Sequence, residues 1–252
     1  MKVFFFTATG NCLDIAKRIG GELISIPQAL KENNLVHEDD KIGIVYPCFY
    51  AGTPVVVQEF LKKATLKSPY VFAIMTYGNF SGGGVDHIRK CAESNSITLS
   101  YVNELLMIDN YIPMFDMDAQ VEKEPEKNID ASADRIIKDI HSSVNYICRK
   151  NALRRFFSGT AQSMYLKHHG TKDKKYTVDE NCTACGICRR VCPGANITGD
   201  KKPQFNNRCY ECLACTHLCP TNAIRVKGER SRSRFKNRNV TVKEIIAANN
   251  RN

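Results

Sequence analysis

The chain has 252 residues, 43% of them hydrophobic and 25% charged, with a formal net charge of +10. That length has room for one ordinary domain and one small one, and no apolar run approaches the roughly 18 residues a spanning helix needs. The start, Met1-Lys2-Val3-Phe4-Phe5-Phe6, imitates a signal peptide only until Thr7, too short for an h-region.

Lys2–Phe6 reads as a continuous apolar strand, suited to a sheet centre buried on both faces. Glu22–Ile26, Ile42–Tyr46 and Tyr70–Thr76 follow as strands, and Ile97–Met107 holds the last. Helical patterns alternate with them at Asn11–Ile19, Pro54–Lys63 and Gly84–Ser94. A final helix is predicted from Ile129, Ala133, Ile136, Ile137, Ile140, Val144 and Ile147. Strand–helix alternation predicts a doubly wound parallel sheet. Five strands within residues 1–150 fit the flavodoxin-like order.

In such sheets ligands bind outside the carboxyl ends of the strands. After the first strand comes Thr7-Ala8-Thr9-Gly10-Asn11-Cys12, two hydroxyls and a glycine turn before a helix N-terminus, which together make an anion cradle. This resembles the flavodoxin loop that holds the phosphate of FMN. It departs at Cys12, where a hydroxyl is commoner and a thiol is a weak donor. Pro47-Cys48-Phe49-Tyr50-Ala51-Gly52-Thr53-Pro54 follows the third strand, and Thr76-Tyr77-Gly78-Asn79-Phe80-Ser81-Gly82-Gly83-Gly84 the fourth. Both put aromatics and glycines where the resemblance places an isoalloxazine ring. Tyr50 and Tyr77 are the expected stacking faces, Phe49 and Phe80 the reserves. Backbone N–H groups near Gly78 and Asn79 are expected at the ring's polar edge. The expected FMN contacts are therefore Thr7, Thr9, Gly10, Asn11, Cys12, Pro47, Phe49, Tyr50, Ala51, Gly52, Thr53, Thr76, Tyr77, Gly78, Asn79 and Phe80. The alternative is a flavodoxin fold emptied of its flavin, its loop aromatics packed on the sheet end. Gly82-Gly83-Gly84 lacks the spaced-glycine fingerprint and follows the wrong strand, so no dinucleotide site is predicted.

Asp116–Lys127, charged and containing Pro125, reads as a surface loop near the flavin edge. Residues 151–175 read as a helical linker with a helical piece at Arg154–Leu166. The His168-His169-Gly170 within it reads as solvated surface rather than a metal or proton site. Cys91 and Cys148 lie in helical patterns and are expected to be packing residues. Cys48 falls beside the expected flavin, where packing outweighs a redox role.

The remaining eight of twelve cysteines form one pattern written twice. Cys182-x2-Cys185-x2-Cys188-x3-Cys192-Pro193 recurs, shifted by 27 residues, as Cys209-x2-Cys212-x2-Cys215-x3-Cys219-Pro220. Three cysteines at such intervals let a tight loop wrap three corners of an iron–sulfur cube. The proline turns the chain away after the fourth. Structural zinc takes cysteines in separated pairs, and disulfides suit secreted chains. The pattern resembles the signature of bacterial two-cluster ferredoxins, which implies two [4Fe–4S] clusters over residues 176–227. In that family the fourth cysteine of each run crosses to the other cluster. The resemblance thus assigns Cys182, Cys185, Cys188 and Cys219 to one cluster, and Cys209, Cys212, Cys215 and Cys192 to the other. Ile197 and Ile224, also 27 apart, are the expected apolar lids. Eight thiolates predict a reducing, cytoplasmic setting. Each cluster with its thiolates carries about −2 and an FMN phosphate about −2, which would bring the loaded chain near about +4.

Taken whole, the chain resembles the fusion family of anaerobes in which a flavodoxin-like region precedes a small α+β two-cluster ferredoxin. Asn110-Tyr111-Ile112-Pro113-Met114-Phe115 is similar to a segment found between that family's last strand and last helix. The resemblance implies an electron-transfer iron–sulfur flavoprotein serving a soluble redox partner. The runner-up is a ferredoxin-coupled FMN reductase of a small substrate. A homodimer, with one subunit's clusters reaching the other's flavin, stays open. In residues 228–252, Arg230, Arg232, Arg234, Lys236 and Arg238 alternate. They read as a solvated arm, with an acidic partner surface as the functional alternative. Val242, Ile245 and Ile246 predict a short helix docking on the body. No aromatic-interleaved basic helix supports nucleic-acid binding.

Overall fold

A computed structural model describes residues 1–150, 152–168, 170 and 172–250. In chain order the first half runs β1 (Lys2–Phe5), α1 (Asn11–Ile19), β2 (Glu22–Ser25), α2 (Ile26–Ala29), β3 (Val36–Glu38), β4 (Lys41–Pro47), α3 (Val55–Lys63), β5 (Thr65–Lys67), β6 (Tyr70–Tyr77), α4 (Gly84–Glu93), β7 (Tyr101–Leu106), α5 (Met117–Glu122), α6 (Ile129–His141) and β8 (Tyr146–Ile147). The second half runs α7 (Ala152–His168), β9 (Tyr176–Val178), α8 (Ile187–Arg190), β10 (Ile197–Thr198), β11 (Gln204–Phe205), α9 (Ala214–His217), β12 (Ile224–Val226) and α10 (Val242–Asn249).

The central sheet is wholly parallel and has six strands in the order β2-β1-β4-β6-β7-β8. Its first five strands follow the flavodoxin-like winding, in which the order reverses beside β1. β1 and β6 read as unbroken apolar runs because helices cover both faces. One face packs Val3, Phe5, Phe72 and Ile74 against Ile15, Ile19 and Ile136. The other packs Phe4, Ile42, Ile44 and Met75 against Val57, Phe60 and Ile88. Gly43 faces Phe72 across β4 and β6, and a Cβ there would fall on the Phe72 ring.

Three expectations need correction. The sheet has six strands rather than five, because the predicted last helix stops at His141. Ser143 then takes a left-handed φ of 54°, Val144 is exposed, and Ile147 pairs with Val102 in β8. The isoleucine spacing continues by coincidence into an edge strand, so Cys148 follows a strand and not a helix. Asp116–Lys127 is not a plain loop: Asp116 Oδ1 accepts from the Ala119 N–H at 3.0 Å and caps α5, while Met117 and Gln120 are buried.

The basic tail, third, is a packed strap. Ser231, Phe235, Asn237 and Val240 are buried. Arg234 pairs with Glu229 at 3.3 Å, Arg238 with Glu124 at 2.8 Å, and Lys236 donates to the Asn237 carbonyl at 2.8 Å. The alternating cations therefore do not share one solvated face. α10 closes the strap with a capping box between Thr241 and Glu244, and its Ile245 and Ala248 enter the core that contains Ile15 and Val3. Among the described residues no helix is long and apolar enough to cross a membrane.

Candidate functional site

The two cysteine runs fold alike, and the backbone shows why. Ala184 and Gly186 take left-handed φ values of 55° and 71°; Glu211 and Leu213, 27 residues on, take 58° and 61°. Ala195 and Asn222 repeat the same relation after the fourth cysteines, at 47° and 53°. These turns wrap each loop inward and aim N–H groups at sulfur. The Asn196 N–H donates to Cys192 Sγ at 3.4 Å, and the equivalent Ala223 N–H to Cys219 Sγ at 3.2 Å. The Glu211 N–H donates to Cys209 Sγ at 3.3 Å.

Cys182, Cys185 and Cys188 line one cavity together with Cys219. Cys209, Cys212 and Cys215 line another together with Cys192. Ile224, 1% exposed, walls the first, and Ile197, 2% exposed, the second. Among the described residues no three His, Cys, Asp or Glu side chains converge as they would on a single ion. One zinc would require that convergence. A cube of four irons takes one thiolate at each of four separate corners, so its ligands stand farther apart. Burial pushes the Cys188 thiol up to about 11, with Cys219, Cys185 and Cys182 adding to it. Burial likewise pushes Cys209 up to about 12, with Cys192 among its neighbours. Four clustered thiolates out of water need cations among them, so the donor set fits iron.

Residues 181–224 match the family model of the 4Fe-4S dicluster domain. No curated protein matches the chain. The second half thus carries a ferredoxin-type iron–sulfur domain, whose chemistry is electron transfer.

A separate cavity of about 390 Å³ opens at the carboxyl ends of β1, β4, β6 and β7, within the roughly 300–1,000 Å³ usual for small-molecule sites. Of the sixteen residues expected around FMN, Thr7, Thr9, Asn11, Cys12, Pro47, Phe49, Tyr50, Ala51, Thr76, Tyr77, Gly78 and Phe80 line it. Gly10, Gly52, Thr53 and Asn79 do not. Gly10, with φ 109°, backs onto Asn237 and Val240. Gly52 abuts Gln162, and Thr53 is fully buried with its N–H on His87 Nδ1 at 3.2 Å. Asn79 donates through its N–H and Nδ2 to Asp109 Oδ2, at 2.9 and 3.1 Å, bracing the loop from outside.

The lining suits a phosphorylated aromatic ligand. Thr7 Oγ1 accepts from the Gly10 N–H at 3.2 Å, and Asn110 Nδ2 donates to Thr9 Oγ1 at 2.6 Å; among the described residues neither hydroxyl donates elsewhere, so both hydrogens can turn to an anion at the α1 N-terminus. Cys12 Sγ lies 3.1 Å from Thr76 Oγ1, and burial pushes its thiol up to about 12. It therefore meets the cavity as a neutral thiol, a weak donor already within hydrogen-bond distance of Thr76. Cys48 lines the cavity, but burial pushes its thiol up to about 12 as well, which fits packing rather than thiolate chemistry. Tyr50 has one face already stacked on Tyr165, centroids 4.8 Å apart and planes at 15°. Phe49 meets Phe6 edge-on, and Phe80 stands 57% exposed.

Several wall residues were not anticipated. Met107, Ile108 and Asp109 follow β7, and Glu211, Cys212 and Leu213 come from the second cysteine run. Tyr50 donates to Glu211 Oε2 at 2.9 Å. Gln162 and Tyr165 are buried beneath the Tyr50 loop, and Gln162 Nε2 donates to the Phe49 carbonyl at 2.5 Å. The helix read as a linker is thus a support. Only the aromatic segment Asn110–Phe115 carried a sequence signal, through its resemblance. Of the histidine pair, His169 lies outside the described residues.

Proposed function

We propose that the chain is an electron-carrying iron–sulfur flavoprotein holding two [4Fe–4S] clusters and FMN, as in the fusion family it resembles. One observation carries this reading: Cys212, from the second cage, lines the cavity at the sheet's carboxyl edge. Cys182, Cys185, Cys188 and Cys219 would hold one cluster, and Cys209, Cys212, Cys215 and Cys192 the other. Thr7, Thr9 and the N–H groups at the start of α1 would bind the phosphate. Tyr50, backed by Tyr165, and Tyr77 would flank the ring. When bound, the clusters pass electrons singly and the flavin exchanges them singly or in pairs.

The rest is done by the chain's own groups. His217 is held neutral, burial pulling it down to about 4. Its Nε2–H donates to the Asn110 carbonyl at 2.7 Å, and its Nδ1 accepts from the Phe235 N–H at 3.1 Å. It so pins the second cysteine run to the cavity wall. Cys185 is the one exposed cysteine of the eight, which makes its loop the meeting point for a soluble one-electron partner. With Cys212 in the wall of its own chain's cavity, no second subunit is needed for contact. A pure carrier ranks ahead of a substrate reductase because the carboxylates of the lining are engaged. Asp109 accepts from Asn79 and from the Tyr111 N–H at 3.0 Å, and Glu211 accepts from Tyr50.

Protein purified without oxygen should contain roughly eight iron and eight sulfide per chain, with reduced-cluster EPR signals, and one extractable FMN. A colourless product with about one zinc per cage and no labile sulfide would refute the proposal.

A further inference from the structure

An anion-binding loop needs its N–H groups turned inward, and therefore its carbonyls turned out and satisfied elsewhere. In Thr7–Cys12 two of those carbonyls are satisfied by the C-terminal strap. Asn249 Nδ2 donates to the Thr7 carbonyl at 2.9 Å, and the Asn237 N–H donates to the Thr9 carbonyl at 2.8 Å. Asn237 Nδ2 also reaches Asn11 Oδ1 at 3.2 Å and Asp14 Oδ2 at 3.3 Å, which fixes the first turn of α1. Asn249 is fully buried and Asn237 7% exposed, so water does not replace these bonds. The strap also dictates the glycine: a Cβ at Gly10 would lie 2.9 Å from Asn237 Cβ and 3.1 Å from Val240 Cβ. Asn249 has a second task. The same Nδ2 lies 3.3 Å from the carbonyl of Val191, the residue before Cys192.

We infer that Asn237 and Asn249 are positioning residues for phosphate recognition, acting through the carbonyls and first turn of the Thr7–Cys12 loop. Asn249 in addition ties that loop to the Cys192 segment. The inference rests on the FMN reading above. It assigns a role in ligand binding to a segment that follows the cysteine domain in sequence and returns across the sheet. The strap does not touch the ligand; it holds the backbone that does.

Because the loop serves the phosphate alone, the test compares FMN with riboflavin, which has the same ring and no phosphate. Both are titrated into flavin-depleted protein that retains its iron, by quenching of flavin fluorescence. The wild type should bind FMN more tightly than riboflavin. Asn249→Leu should weaken FMN by about tenfold, the weight of one hydrogen bond to an ordered polar group. Riboflavin affinity and iron content should stay near wild type. If Asn249→Leu loses iron, Asn237→Ala, which keeps the backbone donor to Thr9, should show the same selective loss. Equal weakening of both flavins would mark the strap as plain scaffolding and overturn the inference. So would unchanged FMN affinity in both variants. Wild-type protein that binds neither flavin would instead remove the FMN reading itself, and this inference with it.

Discussion

β6 buries seven of its eight residues between two helical layers, whereas β10 and β11 are two-residue strands and α8 and α9 four-residue helices. The sheet half fills its interior with Phe4, Phe6, Phe60, Phe72 and Ile44, all fully buried. The cysteine half has a small apolar cluster around Tyr176, Ile197, Leu213 and Ile224, and it borrows Ile112 and Met117 from the other half to complete it. Segments that short do not persist on their own hydrogen bonds. One half is held by burial, which scales with its apolar area; the other needs bonds from its cysteines to metal, where folding and loading are one equilibrium.

That contrast breaks cleanly if it is true. Stripping iron, or replacing Cys209 by Ala, should abolish amide protection across Tyr176–Val226 while β1, β4 and β6 keep theirs, as read by hydrogen exchange with peptide-level resolution. Uniform loss, or uniform retention, would show that the halves are not separately stabilised. The converse experiment is Phe60→Ala. Phe60 is fully buried and meets Phe4 at a ring distance of 4.7 Å, so truncation should cost about 3–5 kcal/mol in denaturant unfolding. Iron and sulfide per folded chain should not change.

The two halves also differ in how much their residues announce. Strand and helix order in the sheet half follows from apolar runs such as Val3–Phe6 and Tyr70–Met75, because period and burial are local properties. The cysteine spacing is likewise local, set by how a loop wraps a cube. What the sequence could not show is contact between distant segments. Glu211 is one of 26 acidic residues, and nothing in its surroundings says that it faces Tyr50. Tyr165 sits in a helix of weak apolar pattern. The strap's alternating cations have the pattern of a solvated extended arm, and nothing local shows that the Arg234 side chain is itself buried against Glu229 or that the residues between pack on the body. Ser231, Phe235 and Asn237 are buried, and the Asn11 and Asp14 that Asn237 meets lie 226 and 223 residues away.

The joint between the halves gives a smaller, sharper effect. Tyr165 from α7 stacks on Tyr50, which donates to Glu211 beside Cys209 and Cys212. Tyr165→Leu removes the stacking, worth about 0.5–1.5 kcal/mol beyond buried area. It should shift the absorption of bound flavin without lowering iron content. An unchanged flavin spectrum would mean that Tyr50 is not held at the ring by its partner.

The smallest expected effect concerns the strap's anchorage, and it has a definite sign. Lys17 Nζ bonds Glu244 at 2.8 Å, and the Thr241 N–H and hydroxyl donate to the same carboxylate at 2.7 Å, so the carboxyl is lowered to about 2. A carboxyl lowered by folding stabilises the folded form fully above its unfolded value, near 4.5, and loses that contribution as pH falls toward about 2. With side chains 40% and 37% exposed, water and salt screen the pair. The contribution should therefore be below about 1 kcal/mol. The stability difference between wild type and Glu244→Gln should be constant from neutral pH to about 5 and shrink below it, acid damage common to both proteins cancelling in the difference. Added salt should shrink it further. A difference independent of pH and salt would assign the anchorage of α10 to Ile245 and Ala248 in the core, leaving the charged cap without energetic consequence.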